Sequence, residues 1–102
     1  MSSVTAYSQV VDAVIHKAAW EETYFSLLSL KAHLQSLPGW QRFDFLAQEQ
    51  ENGDIKVVAI TNCDYPEQLG LWMKQGKTVD AILRSMDPPP VSLNVNLYEE
   101  VI

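Results

Sequence analysis

Apolar and polar positions along the chain change period several times, and each change marks an element. Between residues 3 and 11, Val4, Ala6 and Val10 alternate with Thr5 and Gln9, the two-residue period of a half-buried strand. From about His16 to Ser36 the spacing becomes three and four. Trp20, Tyr24, Leu27, Leu30, Leu34 and Leu37 form one stripe that Phe25 and Leu28 widen, which predicts an amphipathic helix. Pro38-Gly39 stops it, because proline biases the preceding residue away from helical backbone and glycine tolerates positive φ. Trp40 to Gln48 alternates again, with Phe43, Phe45 and Ala47 opposite Arg42, Asp44 and Gln48. Asn52-Gly53 is the pair favoured in a two-residue type I′ turn, and the β-branched run Ile55 to Thr61 follows it, so these two strands form a hairpin.

Asp64-Tyr65-Pro66-Glu67 reads as a helix start: Asp64 caps it, Pro66 suits the first turn and Glu67 completes a capping box. Tyr65, Leu69, Trp72 and Met73 mark its inward face, and Gly76 ends it. Thr78 caps a further short helix with Val79, Ile82, Leu83 and Met86 on its apolar side. Pro88-Pro89-Pro90 excludes helix and ladder alike. In the last strand Val91, Leu93, Val95 and Leu97 alternate with Ser92, Asn94, Asn96 and Tyr98. The result is an α+β chain ordered β-α-β-β-α-β, the ferredoxin-like pattern, with an antiparallel sheet and its helices on one face. Tyr7, Phe45, Val58 and Ile60 exceed what one buried face holds, so the second face also carries large apolar groups and predicts a partner sheet, hence a homodimer.

Composition narrows the function. A chain of 102 residues with 47% hydrophobic content fits one domain, residues 1–102. A formal charge of −6, with seven scattered Lys and Arg, argues against nucleic acid and anionic lipid. No apolar run approaches the ~20 residues of a membrane span, and Met1-Ser2-Ser3 lacks a signal-peptide layout, so a cytoplasmic location is expected. Cys63 is the only cysteine, which rules out an internal disulfide and suits a reducing compartment. It stands at a helix start, where a thiol can be activated, but with no CxxC motif or sequence-adjacent histidine it reads as a core residue.

Metal chemistry has little to build on. The only histidines are His16 and His33; if both lie on the first helix, their seventeen-residue separation is roughly 25 Å at about 1.5 Å per residue, and they cannot chelate together in one chain. The acidic pairs Glu21-Glu22, Glu49 with Glu51, and Glu99-Glu100 read as solvated charge. No nucleotide-binding, hydrolase or metalloprotease motif occurs.

Three stretches carry a resemblance: Leu34-Gln35-Ser36-Leu37-Pro38-Gly39-Trp40, the Asn52-Gly53 hairpin, and Tyr65-Pro66-Glu67-Gln68-Leu69-Gly70-Leu71-Trp72. With the element order, they make the chain resemble the antibiotic biosynthesis monooxygenase-like superfamily over nearly its whole length. The resemblance implies two ferredoxin-like sheets paired into a dimeric α/β barrel, with a pocket between helices and sheet in each protomer. It implies a monooxygenase acting on a small hydrophobic or phenolic molecule without metal, flavin or other cofactor. The alternative is a non-catalytic homodimer that binds a ligand or serves as a structural module.

Trp72 resembles the family's tryptophan in the second helix, but Met73-Lys74-Gln75-Gly76-Lys77 lacks the histidine that often follows it, which argues against haem ligation and imidazole-assisted chemistry. Trp20, Tyr24, Trp72 and Met73 lie on the inward stripes of the two helices, either as plain core or as a pocket wall. Oxygenation without a cofactor requires deprotonation of the substrate in a dry cavity. Tyr7, Tyr24, Trp72 and Asn62 can donate hydrogen bonds, and none is an evident base, so the pocket candidates are Tyr7, Trp20, Tyr24, Asn62, Trp72 and Met73, with no catalytic residue assigned.

Overall fold

The computed structural model describes residues 6–36, 40–64, 66–76 and 78–100. Within them run β1 (Ala6–Ile15), a 3-10 turn (Lys17–Ala19), α1 (Trp20–Leu34), β2 (Trp40–Glu49), β3 (Ile55–Cys63), α2 (Pro66–Lys74), α3 (Val79–Arg84) and β4 (Ser92–Glu100). The strands form one sheet in the order β2-β3-β1-β4, and every neighbouring pair is antiparallel. This is the ferredoxin-like α+β arrangement that the periodicities predict. The first residues of the expected opening strand, the Pro38-Gly39 helix stop and Tyr65 lie outside the described residues.

The core lies between one sheet face and the helices. Val11, Ala13 and Ile15 of β1, Val57, Ala59 and Cys63 of β3, and Phe43 of β2 meet Leu27, Leu30 and Leu34 of α1, Trp72 of α2, and Val79 and Leu83 of α3. A buried Leu or Val in such a cluster contributes about 1.5–3 kcal/mol, so this cluster dominates the stabilisation.

The phase of β1 is opposite to the one its opening residues suggest. Gln9 is buried on the helix side and Val10 lies on the other face, although the alternation of residues 4–10 puts the valine inside. The continuation decides the phase: burying Val11, Ala13 and Ile15 forces Asp12 outward and carries Gln9 inward with them. The strand also runs on to Ile15. Its end is set by His16, whose Nδ1 accepts the Ala18 N–H at 3.0 Å and opens the 3-10 turn before α1.

α1 presents Thr23 inward rather than Tyr24. Thr23 is fully buried, with its hydroxyl donating to the Ala19 carbonyl at 2.7 Å, and positions 20, 23, 27, 30 and 34 form the inner stripe. Tyr24, Phe25 and Leu28 are left 40%, 58% and 45% exposed.

The β2–β3 hairpin closes through three residues, not two. Gln50 N–H donates to the Asp54 carbonyl at 2.7 Å and Gly53 N–H to the Gln50 carbonyl at 3.0 Å. Gly53 alone in this loop has positive φ, 90°, whereas a type I′ turn needs two such residues. Lys17 N–H binds Asp54 Oδ1 at 3.0 Å and Lys17 Nζ donates to the Asn52 carbonyl at 3.3 Å, which docks the loop on the 3-10 turn. A Cβ at Gly53 would stand 3.1 Å from Lys17 Cδ. Gly53→Ala is therefore expected to cost about 1–2 kcal/mol, measured as a lowered urea midpoint at unchanged m-value.

Gly76 is left-handed at φ 70°, two residues after the last residue of α2, as a helix stop requires. Thr78 stands at the start of α3 with extended backbone, but its hydroxyl makes no cap; it donates to Asp80 Oδ1 at 2.6 Å instead.

Among the described residues, the other sheet face carries no helix. Val10 and Val14 of β1 and Val58 and Ile60 of β3 stand there half-buried, Leu46 and Tyr98 are exposed at its flanks, and Ser8, Asp12, Asn62, Asn94 and Asn96 share it. Of the large residues expected to overfill one face, Phe45 and Tyr7 join the core and Val58 and Ile60 lie on the helix-free face.

Candidate ligand site

Aromatic residues gather where α1 crosses the edge strand β2. Trp20 opens α1, and its ring lies 5.9 Å from that of Tyr24 one turn later and 6.1 Å from that of Phe45 on the helix face of β2. Tyr24 meets Phe25 edge-on at 5.7 Å and 71°. These separations are those of favourable tilted and edge-to-face pairs. Because β2 is an edge, its inward and outward side chains both reach the gap beside α1. A groove of about 320 Å³ results, lined by Tyr24, Leu27, Leu28 and Lys31 from α1 and by Phe43, Asp44, Phe45 and Leu46 from β2. Its volume falls at the lower end of the range for small-molecule sites, and its walls are mainly aromatic and aliphatic. Asp44 is held by Arg42. Lys31 makes no ion pair among the described residues.

The six pocket candidates do not converge. Tyr24 lines the groove, and Trp20 stands beside it, its ring against those of Tyr24 and Phe45. Trp72 is 4% exposed and belongs to the packed core, and Met73 is placed beside it on α2 by its backbone. Tyr7 packs against the core from β1, opposite Cys63. Asn62 lies on the helix-free face, where its Oδ1 accepts the Ser8 hydroxyl at 2.6 Å. The separation follows from the topology. Register pairs Ile15 with Ile55 and Tyr7 with Cys63, so α1 is entered from one end of the sheet and α2 from the other.

Reasoning from sequence missed two features. Phe45 and Lys31 complete the groove; the inward alternation of β2 carried the signal for Phe45, and nothing local marked Lys31. The second is a buried polar cluster between β1 and α3. Gln9 Nε2 donates to Asp80 Oδ1 at 3.2 Å, beside the Thr78 hydroxyl, and Arg84 Nε stands 3.7 Å from Asp80 Oδ2. Gln9 and Asp80 are 1% and 8% exposed, and Gln9 Oε1 has no hydrogen-bond partner among the described residues. Such a network fixes α3 on the sheet, since breaking it would bury an unpaired carboxylate.

Other features are simpler. Cys63 is fully buried. His33 lines a second depression of about 420 Å³ with Ser26, Ser29, Leu30, Gly76 and Ile82. Among the described residues, no group of three or more His, Cys, Asp or Glu could hold a metal ion. No helix among them is long and apolar enough to cross a membrane.

No family model and no curated protein matches the sequence. Solved structures do match. A protein from Nitrosomonas europaea, provisionally described as an antibiotic biosynthesis monooxygenase, superimposes with a TM-score of 0.76 at 13% identity, covering 96% of this chain and 92% of its own. SnoaB, a cofactor-independent oxygenase from Streptomyces nogalater, follows the chain with a TM-score of 0.69 at 15% identity, covering 92% and 91%. A dimeric ferredoxin-like protein from an uncultured marine organism gives 0.67 at 8% identity, covering 95% and 96%. Across more than nine-tenths of its length, then, this chain has the ferredoxin-like fold that these proteins share.

Proposed function

We propose that the chain is an antibiotic biosynthesis monooxygenase-like protein: a cytoplasmic homodimer whose α1–β2 groove takes a small, flat, hydrophobic or phenolic molecule and oxidises it without metal or flavin. The observation that carries this reading is the groove itself, about 320 Å³ walled by Tyr24, Leu28, Phe43 and Phe45, where the aromatic side chains of α1 and β2 gather. The fold shared with a cofactor-independent oxygenase supports it. Flat rings stack or tilt against Tyr24 and Phe45, both backed by Trp20, which holds the substrate and keeps bulk water from one of its faces. In oxygenation of this kind the substrate supplies the electrons: an acidic ring CH2 loses a proton, its carbanion reduces dioxygen, one oxygen atom enters as C=O and the other leaves as water.

The dimer joins through the helix-free face, where Val10, Val14, Val58 and Ile60 of the two central strands await a second sheet. An antiparallel sheet with a solvated face carries polar residues at such central positions.

Oxygen uptake with a panel of hydroxylated aromatics tests the activity. Uptake that drops at least about ten-fold in Phe45→Ala, with the fold retained, is the expected result. Binding without uptake establishes the second reading, a non-catalytic binder. That reading is favoured by the ionisable groups on the groove wall: Tyr24, Lys31 and an Asp44 already held by Arg42, with no histidine among them. Absence of both binding and uptake would sink both readings.

A further inference from the structure

We infer that Lys31 makes the α1–β2 groove selective for aromatic anions, flat molecules bearing a carboxylate or a phenolate. This rests on the proposed ligand groove and names the class of molecule it takes.

Lys31 stands on the groove wall beside the apolar side chains of Tyr24, Leu28, Phe43 and Phe45. The positions three and four residues away on its helix are Leu27, Leu28, Leu34 and Gln35, so no carboxylate neutralises it along α1. The other charged group on the wall, Asp44, is held by Arg42, and that pair is close to neutral as a unit. The local balance is therefore one positive charge, in a chain whose formal charge is −6 and which carries only seven Lys and Arg. An anion is repelled by most of this surface and attracted here. Lys31 is exposed on this largely apolar wall, and a lysine so placed can lay its stem on apolar neighbours while its ammonium stays in water, which lets a long cation cap a hydrophobic site. A ring lying against Tyr24 and Phe45 would place an acidic substituent within reach of Nζ. A neutral ring gains the apolar contacts alone.

The test compares matched probes on the full chain by isothermal titration: 2-naphthoate against 2-naphthamide, and 4-nitrophenolate against 4-nitroanisole. Each anion is expected to bind about two- to five-fold more tightly than its neutral partner at low salt, the range for an ion pair in contact with solvent. Lys31→Met, which keeps the stem, should abolish that preference within each probe pair, Lys31→Arg should retain it, and high salt should erode it. Preference in one probe pair only narrows the class to carboxylates or to phenolates. Equal affinity within both pairs in the native chain, or a preference that survives Lys31→Met, overturns the inference while leaving the groove as a ligand site. If none of the four probes binds, the groove reading falls with it.

Discussion

Trp72→Ala is expected to destabilise the chain by about 3–5 kcal/mol, while Tyr24→Ala costs less than about 1 kcal/mol. The two aromatics belong to the same inward stripes by sequence, yet the structure gives them different environments. Trp72 is 4% exposed within the core that α2 and α3 press onto the sheet. Truncating it loses the transfer free energy of an indole and leaves a void that a close-packed core relaxes to fill only in part. Tyr24 is 40% exposed at the groove rim, where water replaces the lost ring contacts. Since domains of this size are stable by about 5–15 kcal/mol, the Trp72 variant loses a large share of its margin. Urea unfolding followed by circular dichroism at low temperature separates the two. Similar costs for both variants would mean that the division between core and groove is misplaced.

Ile60→Asp is expected to convert a dimer into a monomer. Light scattering should give twice the chain mass of 11.5 kDa for the native protein and 11.5 kDa for the variant at the same micromolar concentration. Ile60 pairs with Asp44 on β2 and Val10 on β1, near the centre of the helix-free face. In a two-fold dimer both copies carry the substitution, so two carboxylates would be buried without partners. An uncompensated buried charge costs several kcal/mol, enough to dissociate a sheet-on-sheet interface. The core lies on the opposite face, so the far-UV spectrum should be retained. A native mass of 11.5 kDa would remove the dimer, and an unchanged dimer in Ile60→Asp would move its interface elsewhere.

The order of elements was legible because local periodicity carries it. The strict alternation from Val91 to Tyr98 and the three-four spacing of Leu27, Leu30 and Leu34 each admit one secondary structure, and short connections between them restrict the sheet to few topologies. Turn geometry was less legible. Asn52-Gly53 marks a hairpin whatever the loop length; the hydrogen bond from Gln50 N–H to the Asp54 carbonyl makes it a three-residue loop.

The candidate site was only partly legible, since facing is a property of pairs of elements. Trp20 and Tyr24 were found because they share a helix face one turn apart. Phe45 and Lys31 complete the same groove from different elements, and only the edge position of β2 lets Asp44 and Leu46 reach it as well. Asn62 illustrates the reverse. A single step along β3 separates it from Cys63 in the core, and the two-residue pleat turns it to the opposite face.

By itself, then, the amino-acid sequence determined the ferredoxin-like order of strands and helices and the presence of large apolar residues on both faces of the sheet, because both follow from the spacing of residues along one strand or helix. Tertiary structure alone decided that Gln9 turns inward and Val10 outward, that Trp72 is core while Tyr24 edges a groove, and that Gln9 meets Asp80, seventy-one positions along the chain. Those outcomes depend on which element covers which face. That is settled by packing the whole core at once, and no window of sequence contains both partners.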